Sequence, residues 1–213
     1  MKVDKESMLL YVVTDRTWLG QNSLYLQVEE TLKVGATFIQ LREKSMPLDE
    51  FISEGKKIKE IAKGNNVPFV INDNIDVAIA CDADGVHIGQ SDMSARDVRK
   101  LIGKDKILGV SAQTVEQAIK AEQDGADYIG VGAVFNTSTK KDAHTVSMDT
   151  LKEICRSVKI PVVAIGGINK DNILELTGSG VHGVAVISAI FAEEDISKAT
   201  SELLELSRKM VSL

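Results

Sequence analysis

Apolar and polar positions along the chain follow two alternating patterns. Short β-type apolar runs recur about every 20 to 30 residues, and amphipathic helical patterns fill the segments between them. The eight predicted strands are Leu9–Val13, Phe38–Leu41, Phe69–Ile71, Val86–Ile88, Ile107–Val110, Tyr128–Val131, Val162–Ile165 and Val184–Ile187. The predicted helices are Leu24–Lys33, Leu48–Lys63, Asn74–Ala80, Ala95–Leu101, Val115–Asp124, Met148–Ser157, Asp171–Thr177 and Ile196–Lys209.

The predicted strands are largely continuous apolar runs rather than alternately apolar and polar, so both of their faces should be buried. Eight such strands, each followed by a helical pattern, are typical of a closed parallel (β/α)8 TIM barrel, an α/β fold. No Pro-rich or Ser-rich linker interrupts the pattern, so we expect a single domain over residues 1–213. A doubly wound open sheet is the alternative.

Composition excludes several classes of function. Hydrophobic residues make up 44% of the chain and charged residues 26%, as in ordinary globular proteins. The net charge of −6 argues against a general nucleic-acid binder, so an anionic ligand would need a local cationic site. No apolar run approaches the roughly 18 to 20 residues that cross a bilayer, so we expect no membrane partner.

The cysteines and the N-terminal segment bear on location. Cys81 and Cys155 are far apart and match no metal or disulfide spacing, so we expect free thiols and a cytoplasmic protein. Met1 to Met8 carries four charged residues and no following apolar core with a cleavage site, so we expect no secretory signal. The sequence leaves the oligomeric state open, including a homo-oligomer.

The carboxyl ends of barrel strands form the active-site face, so the residues that follow each strand carry the candidate chemistry. The stretch Gln40-Leu41-Arg42-Glu43-Lys44 places two cations and an amide where the second strand ends. These groups suit a phosphorylated substrate. The alternative is a solvated loop with a salt bridge.

Two aspartates follow adjacent strands. Asp73 comes after the third strand and Asp92 after the fourth. Mg²⁺ favours a pair of carboxylates completed by water and phosphate oxygens, so the two could share one ion that bridges a diphosphate. Each aspartate alone could instead form an Asx turn or cap a helix.

The seventh and eighth strands lead into a candidate phosphate site. Gly166-Gly167 and Ser188 are each predicted to open a helix whose free N–H groups would face the ligand. A tight helix-packing turn is the alternative for the two glycines. The loop after the sixth strand, Asn136 to Lys140, suits a segment that closes over substrate, or simply a solvated loop.

Three histidines are present: His87, His144 and His182. We expect His87 to be a satisfied residue of the barrel interior. No Ser or Cys nucleophile pairs with any of the three in a recognised spacing, so we assign none of them a role.

The motifs together resemble thiamine-phosphate synthases, also called thiamine-phosphate pyrophosphorylases, which are (β/α)8 barrels. The resemblance covers essentially the whole chain. It is carried by Leu10–Asp15, Gln40–Lys44, Asn72–Asp73, Gly85–Gln90 with Asp92, Gly109–Ser111, Thr137–Lys140, Ala164–Ile168 and Val186–Ile190. One position departs from the family pattern, since Asn136 stands where members commonly have proline, which affects loop stiffness rather than chemistry.

The resemblance implies a Mg²⁺-dependent transferase of thiamine biosynthesis, which joins 4-amino-2-methyl-5-hydroxymethylpyrimidine diphosphate to hydroxyethylthiazole phosphate and releases pyrophosphate. If the roles of the matching family positions are transferred to this chain, Asp73 and Asp92 would bind the metal. The pyrimidine diphosphate would contact Gln40, Leu41, Arg42, Glu43, Lys44, Asn72, Ser111 and Lys140. The thiazole phosphate would contact Thr137, Ser138, Thr139, Gly167, Ile187 and Ser188. Arg42, Lys44, Lys140 and Ser111 would be the catalytic residues, in a dissociative displacement without an enzyme nucleophile.

Three rival interpretations stay open. A thiazole tautomerase of similar fold would keep the phosphate site but would not need the cations and the aspartate pair. A non-catalytic thiamine-phosphate sensor would bind product without turnover. Another phosphate-binding barrel isomerase or lyase would never release pyrophosphate.

Overall fold

Eight parallel strands close into a barrel in the order in which they occur along the chain. The computed structural model describes residues 3–20, 22–136 and 145–212. The strands are β1 Leu10–Val13, β2 Phe38–Leu41, β3 Phe69–Asn72, β4 Gly85–Ile88, β5 Ile107–Ala112, β6 Tyr128–Gly132, β7 Val162–Ile165 and β8 Val184–Val186. The prediction of a (β/α)8 barrel is confirmed, and the doubly wound sheet is excluded because β8 pairs with β1.

Helices cover the outside of the barrel. They are α1 Leu24–Lys33, α2 Leu48–Gly64, α3 Ile75–Ala80, α4 Ala95–Ile102, α5 Val115–Gln123, α6 Met148–Ser157, α7 Ser188–Phe191 and α8 Ile196–Ser212. Side-chain caps begin several of them: the Asn74 side chain accepts from Val77 N–H, and the Ser94 hydroxyl accepts from Asp97 N–H. These caps fix where the loops at the mouth of the barrel end.

Two apolar clusters lie on opposite faces of the strands. One fills the barrel interior and includes Tyr11, Phe38 and Tyr128. The other lies between the strands and the helices and includes Ile39 and Leu41. Because side chains alternate along a strand, this pattern turns even-numbered positions of β2 and odd-numbered positions of β4 and β5 toward the barrel axis.

One predicted helix is wrong. The segment predicted as Asp171–Thr177 forms only a short 3-10 helix, Ile173–Leu176. Asn169 explains the difference, because its side-chain oxygen accepts from Asp171 N–H at 2.9 Å, and Asn169 N–H donates to Asn172 Oδ1 at 2.9 Å. Such local side-chain bonds compete with a regular helix.

No helix in the described part of the chain is long and apolar enough to cross a membrane.

Candidate active site

Four polar side chains belong to strand positions that face the barrel axis near the mouth: Gln40, Asn72, His87 and Ser111. Asn72 and His87 are register partners on β3 and β4. Gln40 and His87 are buried, whereas Asn72 and Ser111 are partly exposed. Three of these residues, Gln40, Asn72 and Ser111, are predicted site residues, and the fold brings them onto one surface.

Arg42, directly after β2, is the first cation of the site, and residues of the loop after β1 hold it in place. Arg42 Nη1 lies 3.3 Å from Asp15 Oδ2, and Arg42 N–H donates to the Thr14 hydroxyl at 3.0 Å. Burial alone would raise the pKa of Asp15, but hydrogen bonds from Thr17 and the charges of Arg42 and Lys44 outweigh burial and hold that pKa below its usual value. The carboxylate therefore stays ionised at neutral pH and pairs with Arg42 at the mouth.

Two residues of the predicted stretch make other contacts. Leu41 is fully buried in the cluster between strands and helices, so its side chain does not reach the mouth. Glu43 accepts from Arg16 Nε at 2.7 Å, and Arg16 also lies 3.6 Å from Glu54. Burial raises the pKa of Glu43, and the pair with Arg16 opposes that change. Glu43 thus belongs to an ion-pair network that fixes the loop.

Asp73 and Asp92 meet across the ends of β3 and β4, within reach of a hydrogen bond between their carboxyl groups. The neighbouring atoms displace part of the water around Asp73, although the residue is exposed at the rim, and Asp92 adds a like charge. Together these effects raise the pKa of Asp73 to about 6. Asp73 also adopts a left-handed backbone, with φ of 61°, and donates its N–H to the carbonyl of His87 at 2.8 Å.

This carboxylate pair fits a divalent cation. Two like charges held together are costly, and a cation between them would remove the repulsion. Asn72 Nδ2 donates to Asp73, and Gly89 N–H donates to Asp92 Oδ2 at 2.7 Å, so both carboxylates are oriented before any ligand arrives. In residues 3–20, 22–136 and 145–212 no group of three or more His, Cys, Asp and Glu could hold a metal. A pair of carboxylates is what Mg²⁺ favours when water and phosphate oxygens complete its coordination.

A cavity of about 640 Å³ lies beside these groups. Arg42, Lys44, Asn72 and Asp73 line its polar wall, and its remaining wall includes apolar side chains such as Phe51. The cavity is therefore large enough for a small organic molecule and offers both charge and an apolar surface to it.

The turn after β7 is built from backbone. Gly166 and Gly167 have φ of 99° and 67°, so they do not open a helix as predicted, because helical residues need negative φ. A Cβ on Gly167 would lie 2.3 Å from the carbonyl oxygen of Asn136. Phe135 N–H donates to the Gly166 carbonyl at 3.0 Å, so the turn packs closely against the start of the loop after β6.

Ser188 begins α7, as predicted, with Ile187 preceding the helix at φ −126° and ψ −84°. The carbonyl of Ile187 accepts from Phe191 N–H at 3.0 Å. The first N–H groups of a helix lack acceptors within it, so this turn offers donors to an anion next to the turn after β7.

Four predicted contacts, Thr137, Ser138, Thr139 and Lys140, lie outside the described residues. Asn136, just before them, is exposed.

Sequence reasoning gave no role to three residues that shape the site. Asp15 and Arg16 pair with Arg42 and Glu43, and Gln90 Nε2 donates to the Ser111 carbonyl at 2.6 Å. The sequence could have revealed Asp15 and Arg16. An acid–base pair, Asp15-Arg16, follows the first strand, and a base–acid pair, Arg42-Glu43, follows the neighbouring second strand, so each residue faces an opposite charge.

Taken together, a closed parallel barrel with cations, paired carboxylates and the N–H groups that begin α7 at its mouth defines an α/β barrel enzyme whose site is suited to anionic groups. Comparison with known proteins narrows this class. The family described as thiamine monophosphate synthase matches residues 10–190, and the chain belongs to that family.

The chain is similar in sequence to named relatives along nearly their full length. A thiamine-phosphate synthase of Clostridium botulinum is 50% identical over 204 residues, which are 96% of this chain and 96% of the relative. One from Clostridium tetani is 53% identical over 194 residues, covering 91% and 93% of the two chains. The solved thiamine phosphate pyrophosphorylase of Pyrococcus furiosus superposes with a TM-score of 0.90 at 42% identity, covering 97% of this chain and 98% of the other.

Proposed function

We propose that this chain condenses 4-amino-2-methyl-5-hydroxymethylpyrimidine diphosphate with hydroxyethylthiazole phosphate to give thiamine phosphate and pyrophosphate. The observation that carries the proposal is the Asp73–Asp92 pair beside Arg42, on the opposite side of the closed barrel from the turns at Gly167 and Ser188. One side suits a metal-bound diphosphate and the other a monophosphate, so the site has room for two anionic substrates.

The pyrimidine diphosphate would lie over β2, β3 and β4. Arg42 and Lys44 line the cavity there, and their cationic groups would contact the diphosphate oxygens. Gln40, Asn72 and Ser111 have inward strand positions near the mouth and would contact the pyrimidine or its linker to the diphosphate. Glu43 and Leu41 would act through the loop that they anchor.

The thiazole phosphate would lie over β7 and β8. The N–H groups at Gly167 and Ser188 would donate to its phosphate oxygens. Thr137, Ser138 and Thr139 are proposed to close over the same phosphate and Lys140 over the diphosphate, by the family resemblance alone.

The residues of the site favour a dissociative displacement. Arg42, Lys44 and Lys140 would stabilise negative charge on the departing pyrophosphate, while the aminopyrimidine delocalises the positive charge left on its methylene carbon. The thiazole nitrogen then donates its electron pair to that carbon. The barrel walls exclude water, a competing nucleophile. An obligatory covalent adduct between pyrimidine and enzyme would contradict this route.

Magnesium is part of this proposal. Asp73 and Asp92 would hold Mg²⁺, which would supply positive charge to the diphosphate oxygens. The donors at Asn72 and Gly89 orient the two carboxylates for it.

A cytoplasmic location also belongs to the proposal. Among the described residues Cys81 and Cys155 are free thiols, as expected in a reducing compartment.

The test is pyrophosphate release by purified protein, measured with each substrate alone and with both, in Mg²⁺ and then in chelator. We expect release only when both substrates and Mg²⁺ are present, with an equal amount of thiamine phosphate. Release from the pyrimidine diphosphate alone would indicate a hydrolase. No release, with the thiazole phosphate still bound, would favour the tautomerase or the sensor.

A further inference from the structure

A chain of hydrogen bonds crosses the barrel interior from β2 to β5. Gln40 Nε2 donates to the Tyr11 hydroxyl, which lies 2.7 Å from the Tyr128 hydroxyl. The Tyr128 hydroxyl lies 2.8 Å from His87 Nδ1, and His87 Nε2 lies 2.9 Å from Ser111 Oγ. The chain therefore joins two residues of the mouth, Gln40 and Ser111, through three residues that lie beneath it.

The middle of this chain is sealed from water. Tyr128 is fully buried, Tyr11 is 1% exposed and His87 is 8% exposed. The tyrosine rings pack edge to face with their centroids 5.7 Å apart. The strands leave room for this arrangement, since a Cβ on Gly109 would lie 2.1 Å from the Tyr128 ring and 2.5 Å from His87 Nδ1. The bonds are thus made within the protein, in a place where bulk water cannot replace them.

Counting hydrogens gives the chain one direction. The amide nitrogen of Gln40 only donates, so the Tyr11 oxygen accepts. Burial raises the pKa of both tyrosines, so each hydroxyl keeps its one hydrogen. The hydrogen of Tyr11 then goes to Tyr128, and that of Tyr128 goes to His87 Nδ1.

The direction continues to the mouth. A neutral imidazole whose Nδ1 accepts carries its hydrogen on Nε2, so His87 donates to Ser111 Oγ. The hydrogen of Ser111 then points away from His87. The Gln90 amide, which donates to the Ser111 carbonyl at 2.6 Å, fixes the backbone of the same residue.

We propose that Tyr11, Tyr128 and His87 are positioning residues, which hold the Ser111 hydroxyl as a hydrogen-bond donor toward an acceptor atom of the substrate over β2 to β5. The proposal rests on the proposed function for the identity of that substrate, the pyrimidine diphosphate. The direction of the hydrogen-bond chain is a property of the ligand-free protein and does not depend on which substrate binds. It gives His87 a part in the site without contact with the reacting atoms.

The first test is the tautomer of His87 in the ligand-free wild-type protein. Labelling with ¹⁵N and long-range ¹H–¹⁵N correlation spectra at pH 8 distinguish the two ring nitrogens, and His144→Gln and His182→Gln assign the signals by elimination. We expect the hydrogen on Nε2. A hydrogen on Nδ1 would overturn the proposal, because the chain would then run the other way and Ser111 would donate to His87. Wild-type protein suffices for this result, whatever happens to the variants.

The second test compares two variants of similar length, His87→Gln and His87→Met. The Gln amide nitrogen can occupy the place of Nε2 and donate to Ser111, whereas Met cannot. We expect kcat/KM for the pyrimidine diphosphate to fall about tenfold or more in His87→Met, the size of one lost hydrogen bond, and only a few-fold in His87→Gln. The KM for the thiazole phosphate should be unchanged in both. Equal losses in the two variants, at matched thermal stability, would contradict the proposal.

A double variant separates positioning from general structure. If His87 acts through Ser111, then His87→Met should add little to the loss already caused by Ser111→Ala. If the fold-loss of kcat/KM in the double variant equals the product of the two single fold-losses, the proposal is overturned. If wild-type protein makes no thiamine phosphate, the proposed function fails. The tautomer of His87 still decides the direction of the hydrogen-bond chain in that case.

Discussion

The two sides of the barrel mouth differ in the groups that form them, which are charged side chains on one side and mainly backbone on the other. Over β2, β3 and β4 the site consists of charged side chains that contact one another, as Arg42 does Asp15 and Asp73 does Asp92. Over β7 and β8 the described part of the site consists mainly of backbone, with left-handed glycines packed against the neighbouring loop. A diphosphate with a metal needs fixed charges of both signs, whereas a monophosphate is satisfied by N–H donors.

This difference predicts that the two sides respond to different substitutions. On the charged side, changing a side chain should remove chemistry and leave the fold intact. On the backbone side, adding a single methyl group should block binding.

The largest effect should come from Asp73→Ala. If Asp73 and Asp92 hold Mg²⁺ as proposed, removal of one carboxylate should lower kcat about 100-fold or more, because the positive charge that would stabilise the departing pyrophosphate is lost. Pyrophosphate release at saturating substrates measures the change. Asp49→Ala, which removes an exposed carboxylate from the first turn of α2, is the control and should stay near wild type. Near-normal turnover of Asp73→Ala would show that the metal assignment is wrong.

An intermediate effect is expected for Gly167→Ala. The new Cβ would lie 2.3 Å from the Asn136 carbonyl at a residue with φ of 67°, so the turn must shift. We expect the KM for the thiazole phosphate to rise about tenfold or more while the KM for the pyrimidine diphosphate changes little. The larger change Gly167→Val should strengthen the effect.

Gly178→Ala is the matched control for this turn. Its φ of 71° gives the same backbone strain, but a Cβ there meets nothing within 4 Å. It should lower thermal stability and leave both KM values near wild type. Equal rises of the thiazole-phosphate KM in both variants would show that strain anywhere, rather than the close approach at Gly167, is responsible.

The smallest effect concerns stability and pH. The pKa of Asp73 is raised from 3.8 to about 6, so the ionised form is disfavoured in the folded chain; stability falls as pH rises from about 4 to about 6 and levels off above that. In chelator, Asp73→Asn should therefore raise Tm at pH 8 but not at pH 4. Because the carboxylate is exposed, solvent screening limits the gain to about 1 kcal/mol, or about 2 to 4 °C. An equal gain at both pH values would exclude carboxylate repulsion as the cause.

The sequence predicted the barrel well because most strands are continuous apolar runs. The charged side chains at the mouth could be located from sequence because they follow those runs directly. It failed where three-dimensional contacts decide the outcome. The turn at Gly166-Gly167 was expected to open a helix, but its positive φ values come from packing against the loop after β6.

The same limit applies inside the barrel. His87 was correctly expected to be a satisfied interior residue, yet the pattern around it could not show that Tyr128, on another strand, would bond to its ring. That contact depends on barrel closure and on glycine at position 109, which leaves space for both side chains.

The central claim is that the charged side takes the diphosphate and the backbone side takes the monophosphate. The most direct measurement is a crystal structure of the protein with thiamine phosphate, pyrophosphate and Mg²⁺. The account predicts pyrophosphate and metal against Asp73, Asp92 and Arg42, and the phosphate of thiamine phosphate against the N–H groups at Gly167 and Ser188. Pyrophosphate against Gly167 and Ser188, or a metal away from both aspartates, would contradict it.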